Sequence, residues 1–290
     1  MVLIASAYIY KGPLKKWQDN LGQPNNFLAK LNSDKISKIE INSSGNQTIL
    51  SKTGEKWKYN NSKDFYADTA LMSQVLAELK KAGRAKLELV SNNQASKKQY
   101  GTDGAGTEVK IYENDKLAVD FLIGLRSGDY SGSYISASAS AATYAVAADL
   151  TDVFNPGEWL DLTIFSTDQA KINKIRFQYP NREFTLELKN GKWSVSLPTK
   201  FSVNQEKVKL ILDIMSNLKA AQIPEQTFKN TGLEKHLAII QATGEGIDNT
   251  LMVGEGKDGL YYAKRGDSDN IYLITKAQRD ELNKTTSQLR

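Results

Sequence analysis

The chain has 290 residues, with 38 lysines and arginines, 33 aspartates and glutamates, and a single histidine. Its 40% hydrophobic and 24% charged residues are those of a folded globular chain, which excludes extended disorder and leaves room for one or two domains. The absence of cysteine excludes disulfides, thiolate metal sites and cysteine nucleophiles, and a net charge of +5 without a nucleic-acid motif does not point to nucleic acid.

In chain order, Val2 to Tyr10 is an apolar run with an aromatic end, followed by Lys11, Lys15, Lys16 and Trp17. A spanning helix needs about 20 apolar residues. The run therefore reads as the C-terminal half of a membrane helix with its interfacial aromatic belt, truncated at its start. Residues 1–26 are taken as this anchor-like segment and a linker. A short N-terminal strand is the alternative, and the lysines downstream run against the positive-inside tendency.

Residues 35–42, 47–52 and 56–60 read as a β-meander, with Ser43-Ser44-Gly45-Asn46 as a turn. Asp68 then precedes Met72, Val75, Leu76, Leu79 and Ala82, one apolar stripe of an amphipathic helix behind a good N-cap. Lys80, Lys81, Arg84 and Lys86 crowd the end of that helix, and Lys97 and Lys98 follow. Such a patch concentrates anionic partners; a solvated lysine-rich face is the plainer reading. A short strand at 86–90 comes next, then strands at 107–113, 117–123, 132–138 and 142–147. Leu150, Val153 and Phe154 form a closing helix that stops at Pro156-Gly157. With Glu158-Trp159, this is the expected hinge.

The series then begins again. Lys35-Ile36-Ser37-Lys38-Ile39 recurs as Lys171-Ile172-Asn173-Lys174-Ile175, and Trp57 as Trp193, a shift of 136 residues (35 to 171, 57 to 193). Asp68 is matched by Asn204, and the helical stripe by Val208, Ile211, Leu212, Met215 and Leu218. Strands follow at 171–179, 183–189 and 192–197, with Asn190-Gly191 as a hairpin turn, and at 237–242, 249–253, 259–264 and 270–274. Beyond the helix the register slips: Tyr100-Gly101 aligns with Thr231-Gly232, Ile123-Gly124 with Val253-Gly254, and Gly132-Ser133-Tyr134 with Gly259-Leu260-Tyr261. Thr275 and Gln278 have the spacing of a capping box. The expected fold is α+β, a tandem duplication of one module. Each copy, 27–157 and 158–290, has an antiparallel β-meander, a packed amphipathic helix, further antiparallel strands and a short closing helix.

Motifs that carry chemistry are weak. His236 is the single histidine and sits at a strand edge, and one histidine without cysteine makes no ordinary zinc site. Ser216 and Lys219 have the S-x-x-K spacing and Lys52-Thr53-Gly54 spells K-T-G, but their chain order is inverted for a penicillin-binding site. The loops holding Gly101, Gly104 and Gly106, and Gly254, Gly256 and Gly259, are read as hairpin turns because strands follow them. Asp267-Ser268-Asp269 lacks the rest of an EF-hand loop. No catalytic residue, cofactor or metal ligand is therefore assigned. The Ser- and Tyr-rich hairpin offers a binding surface at Tyr130, Tyr134, Ser136 and Ser138; an ordinary polar-faced hairpin accounts for the same residues.

Asp34-Lys35-Ile36-Ser37-Lys38-Ile39-Glu40-Ile41, Trp57, Tyr66-Ala67-Asp68, Tyr100-Gly101-Thr102-Asp103, Ile123-Gly124 and Gly132-Ser133-Tyr134, with their echoes, resemble a known pattern. It is that of the bacterial family of duplicated domains of unknown function found beside gliding-motility-type ABC transporter genes. The resemblance covers roughly residues 27–285. It implies a single-pass membrane anchor with the repeats held outside the cytoplasm, and it supplies no catalytic residue. The expectation is a non-enzymatic accessory or scaffold protein of the bacterial envelope, with an envelope protein such as an ABC-type permease as partner. A polysaccharide- or peptidoglycan-binding module is the alternative, and a hydrolase with an Asp/Glu site a third reading.

Overall fold

The computed structural model describes residues 25–290 apart from 63, 129, 130 and 236. The anchor-like N-terminal segment, Tyr130 and His236 thus lie outside the described residues. The chain divides into two compact units, the first ending at Asp161 and the second running from Leu162 to Arg290.

In the first unit β1 (Ile36–Ser43), β2 (Asn46–Thr53) and β3 (Lys56–Tyr59) form the expected meander. Ser44 and Gly45 turn between β1 and β2 with φ of +51° and +82°, the doubly left-handed pair that suits the strand twist. α1 (Thr69–Arg84) starts where the Asp68 carboxylate accepts the Leu71 N–H at 2.9 Å. Its stripe of Met72, Val75, Leu79 and Ala82 is buried. The chain continues through β4 (Glu88–Ser91), α2 (Lys97–Tyr100), β5 (Thr107–Glu113), β6 (Lys116–Arg126), β7 (Ser133–Ala137), β8 (Thr143–Val146) and α3 (Leu150–Val153). The strands make one antiparallel sheet in the order β3-β2-β1-β5-β6-β7-β8-β4.

Alternation along these strands puts Ile39, Leu50, Val109, Ile111, Phe121 and Ile135 on the inner face, each fully buried in one core with Val75 and Leu150. Each such side chain contributes about 1.5–3 kcal/mol by leaving water. Trp159 joins this core and Leu160 bridges Ala67, so the chain as far as Asp161 stays with the first unit.

The second unit opens on β9 (Thr163–Ser166), then β10 (Ile172–Tyr179), β11 (Arg182–Lys189), β12 (Lys192–Leu197), β13 (Phe201–Ser202) and α4 (Gln205–Ser216). β14 (Asn217–Lys219), β15 (Ala238–Gly244), β16 (Ile247–Lys257), β17 (Leu260–Arg265), β18 (Ile271–Thr275) and α5 (Lys276–Leu282) follow. Its sheet runs β13-β12-β11-β10-β15-β16-β17-β18, and β9 pairs with β14 apart from it. Asn204 caps α4 as Asp68 caps α1, and the capping box of Thr275 and Gln278 starts α5.

Irregularities recur at matching places. The β1–β5 pairing shifts between Ile36 and Lys38, and the β10–β15 pairing between Ile172 and Lys174. The β6–β7 pairing shifts between Ile123 and Arg126, and the β16–β17 pairing between Val253 and Gly256. These bulges bend their strands at fixed points.

Two expectations need correcting. The helical stripe was expected to include Leu218, but α4 ends at Ser216 and Leu218 is buried from β14, because β9 offers Phe165 as its ladder partner. The sequence match pairs Tyr134 with Tyr261. The ladder places Ile135 opposite Ile123 and Ala263 opposite Val253, so the counterpart of Tyr134 is Tyr262. A slip of one residue would send every side chain to the other face.

Candidate functional site

The bulge in β6 organises the outer surface of the first unit. Gly101, with φ of +66°, ends α2, and the loop after it crosses β6 at close range. A Cβ on Gly124 would lie 2.1 Å from the Tyr100 carbonyl oxygen, and one on Gly106 would lie 2.3 Å from the Gly101 carbonyl oxygen. Only glycine permits that crossing. Gly101 is thus a helix cap, and Gly254 and Gly256 lie at the matching bulge; of the glycines singled out in sequence, Gly259 sits in a hairpin turn as expected.

Beside the crossing lies a cleft of about 350 Å³ lined by Gly101, Gly106, Thr107, Ile123, Gly124 and Leu125. Leu125 is 57% exposed at its lip. The hydroxyls around Thr107 and Gly124 are engaged within the fold. Asn155 Nδ2 donates to Thr107 Oγ1 at 3.2 Å, and Thr151 Oγ1 donates to the Gly124 carbonyl at 3.1 Å. Ser133 Oγ, fully buried, accepts the N–H groups of Leu150 and Thr151 at 3.0 Å each. Arg126 bonds Asp152 and Asp149, and the Asp152 hydrogen bond holds its guanidinium pKa above the ordinary arginine value.

The expected binding surface is only partly brought together. Tyr134 is half-buried, its ring edge-on to Tyr100 at 4.8 Å. Ser138 donates to the Asp120 carboxylate. Ser136 is a correction: it is fully buried and donates to the Ala142 carbonyl at 2.8 Å, because the β7–β8 turn folds back over it. Lys97 is a second correction. Expected on a solvated face, it is 3% exposed, and burial pushes its ammonium pKa down. Its spacing of three from Tyr100 turns both toward the sheet, a signal that a lysine-rich run hides.

The other sequence candidates also have ordinary roles. Ser216 is buried and bonds the Asp213 carbonyl; Asp267 pairs with Arg265 at 2.6 Å and Asp269 with Lys264 at 3.2 Å. Among the described residues no cluster of His, Cys, Asp or Glu could hold a metal ion, and no helix is long and apolar enough to cross a membrane.

The second unit repeats the crossing. Gly232 has φ of +69°, and a Cβ on Gly254 would lie 2.1 Å from the Thr231 carbonyl oxygen. In the place of Leu125 stands Glu255, paired with Lys235 at 3.1 Å. The adjoining cleft is about 100 Å³ and is lined by Tyr179, Ala238, Ile240, Val253, Gly254 and Arg279. The Tyr179 hydroxyl donates to the Leu282 carbonyl, and burial pushes its pKa up to about 12 against the opposing pull of Arg182.

A family model described as a domain of unknown function (DUF4340) matches residues 57–199 and again residues 193–290. The two matches begin at Trp57 and Trp193, the tryptophans of β3 and β12. No curated protein and no solved structure is significantly similar to the chain.

Proposed function

Because the chain belongs to the DUF4340 family, whose domain it contains twice, we propose that its halves are a tandem duplication of one module serving as a non-enzymatic scaffold. The scaffold is a single-pass, membrane-anchored accessory protein of the bacterial envelope, its modules outside the cytoplasm, working beside an ABC-type transport system. The observation that supports this reading is Leu125. An apolar side chain 57% exposed stands over an open cleft in one unit, where the matching position of the other is an ion pair of Glu255 and Lys235. An exposed leucine beside a cleft is an apolar handle that a partner protein can cover.

The glycan-binding alternative draws on Tyr134 but loses Ser136, which is buried. The test is cross-linking of the tagged protein in its native host, followed by purification and identification of what is bound. Recovery of an envelope permease supports the scaffold. Recovery of the protein alone removes that support and turns the question to glycans, screened by thermal shift with Tyr134→Ala as the control.

A further inference from the structure

The cations at the end of α1 form a patch with a second source. Asn26 donates its side-chain amide to the carbonyls of Ala82 at 2.7 Å and Ala85 at 2.9 Å, so the entering chain is fastened across the C-terminus of α1. This contact sets the segment from Leu28 to Ile36, which carries Lys30 and Lys35, across a shared cleft from Lys80 and Arg84, and Lys30, Lys35, Lys80, Arg84 and Lys86 are all exposed. A cleft of about 310 Å³ between the two segments is lined by Leu28, Leu31, Asn32, Asp34, Lys80 and Arg84. Nearby, Lys81 pairs with Glu78 at 3.3 Å, whereas Lys30, Lys35, Lys80, Arg84 and Lys86 have no ion pair within the described residues.

Cations in the last turn of a helix are favoured by its dipole. That accounts for Lys81 and Arg84, but not for Lys30, Lys35 and Lys86, which lie outside the helix. The second unit sharpens the contrast. At the 136-residue shift, Ser166, Ser216, Asn217 and Ala220 stand where the first unit has Lys30, Lys80, Lys81 and Arg84, and only Lys171 and Lys219 are basic there. The cations of this patch are therefore particular to the first unit. They belong to the unit whose entering chain follows the apolar run Val2–Tyr10 and Lys11, Lys15 and Lys16.

We propose that this face of the first unit docks on an anionic bilayer, setting Lys30, Lys35, Lys80, Arg84 and Lys86 against lipid phosphates. The proposal rests on the reading of residues 1–26 as an anchor-like segment and linker. Each lysine or arginine near an anionic surface strengthens attraction about fivefold, an effect that fades over a Debye length and with salt.

The test is amine labelling of the full chain, read residue by residue by mass spectrometry. It is run with phosphatidylcholine vesicles and with vesicles that also contain phosphatidylglycerol. Association with neutral vesicles reports the anchor alone. The docking predicts that labelling of Lys30, Lys35, Lys80 and Lys86 falls at least about fivefold on the anionic vesicles relative to the neutral ones, and recovers in high salt. Lys200, Lys229 and Lys257, exposed in the second unit, stay equally reactive on both. The double substitution Lys80→Ser with Arg84→Ala, which copies the second unit, should restore labelling of Lys30 and Lys35. Equal labelling on both vesicles overturns the docking while leaving the anchor standing. Protection by a soluble RNA duplex but not by vesicles would overturn it in favour of nucleic acid.

Discussion

The bulges of β6 and β16 are made in the same way and present different surfaces. In each, a glycine lets a carbonyl pass at a distance no Cβ could tolerate, Tyr100 over Gly124 and Thr231 over Gly254. On the first stands an exposed leucine beside a cleft of about 350 Å³, on the second an ion pair beside a cleft of about 100 Å³ lined by Tyr179 and Arg279. The contrast where the helices end is of another kind: α1 carries Lys80, Lys81 and Arg84 to its end, whereas α4 stops at Ser216, with Asn217 and Ala220 beyond it. Backbone crossings and inner faces admit few residues, so they recur. Side chains over them are free to differ, and function is to be sought where they differ.

Truncation of matched core residues should give the largest effects. Phe121→Ala and Leu251→Ala, at fully buried and corresponding positions, should cost about 3–5 and 2–5 kcal/mol in urea unfolding. Next come the crossings: Gly124→Ala and Gly254→Ala should each cost about 2–3 kcal/mol, whereas Gly104→Ala, with open space around it, should be near neutral. A loss at one crossing without the other would break the equivalence. The helix caps should then give about 1 kcal/mol each for Asp68→Ala and Asn204→Ala.

Tyr179 makes the stability of the second unit depend on pH. Its hydroxyl keeps its proton to about 12 in the fold, and an unfolded tyrosine loses it near pH 10. The folded state therefore binds more protons between these values, and stability that is complete below about pH 10 is lost as pH rises toward 12. Thermal melts across this window should show the loss in the parent chain and a flatter profile in Tyr179→Phe. The smallest stability change, within about 0.5 kcal/mol, is expected for exchanging the exposed pair Leu125→Glu and Glu255→Leu.

Much of this frame was legible in the sequence, because the meanders, the capped helices and the hairpin turns are local patterns. Trp57 and Trp193, Asp68 and Asn204, and the two apolar stripes fix their own elements. β9 and β14 were missed, since a four-residue and a three-residue strand have no period of their own and exist through each other. The site was less legible. Ser136 and Tyr134 share a strand face, and only the returning turn, a tertiary contact, decides that Ser136 is buried. The role of Gly124 depends on a carbonyl more than twenty residues earlier, which no spacing announces.

The most direct measurement places a photo-reactive amino acid at position 125 in one strain and at position 255 in another, in the native host. The account predicts cross-links from 125 to an envelope protein, with none of that product from 255. Equal products from both positions, or none from 125, would contradict it.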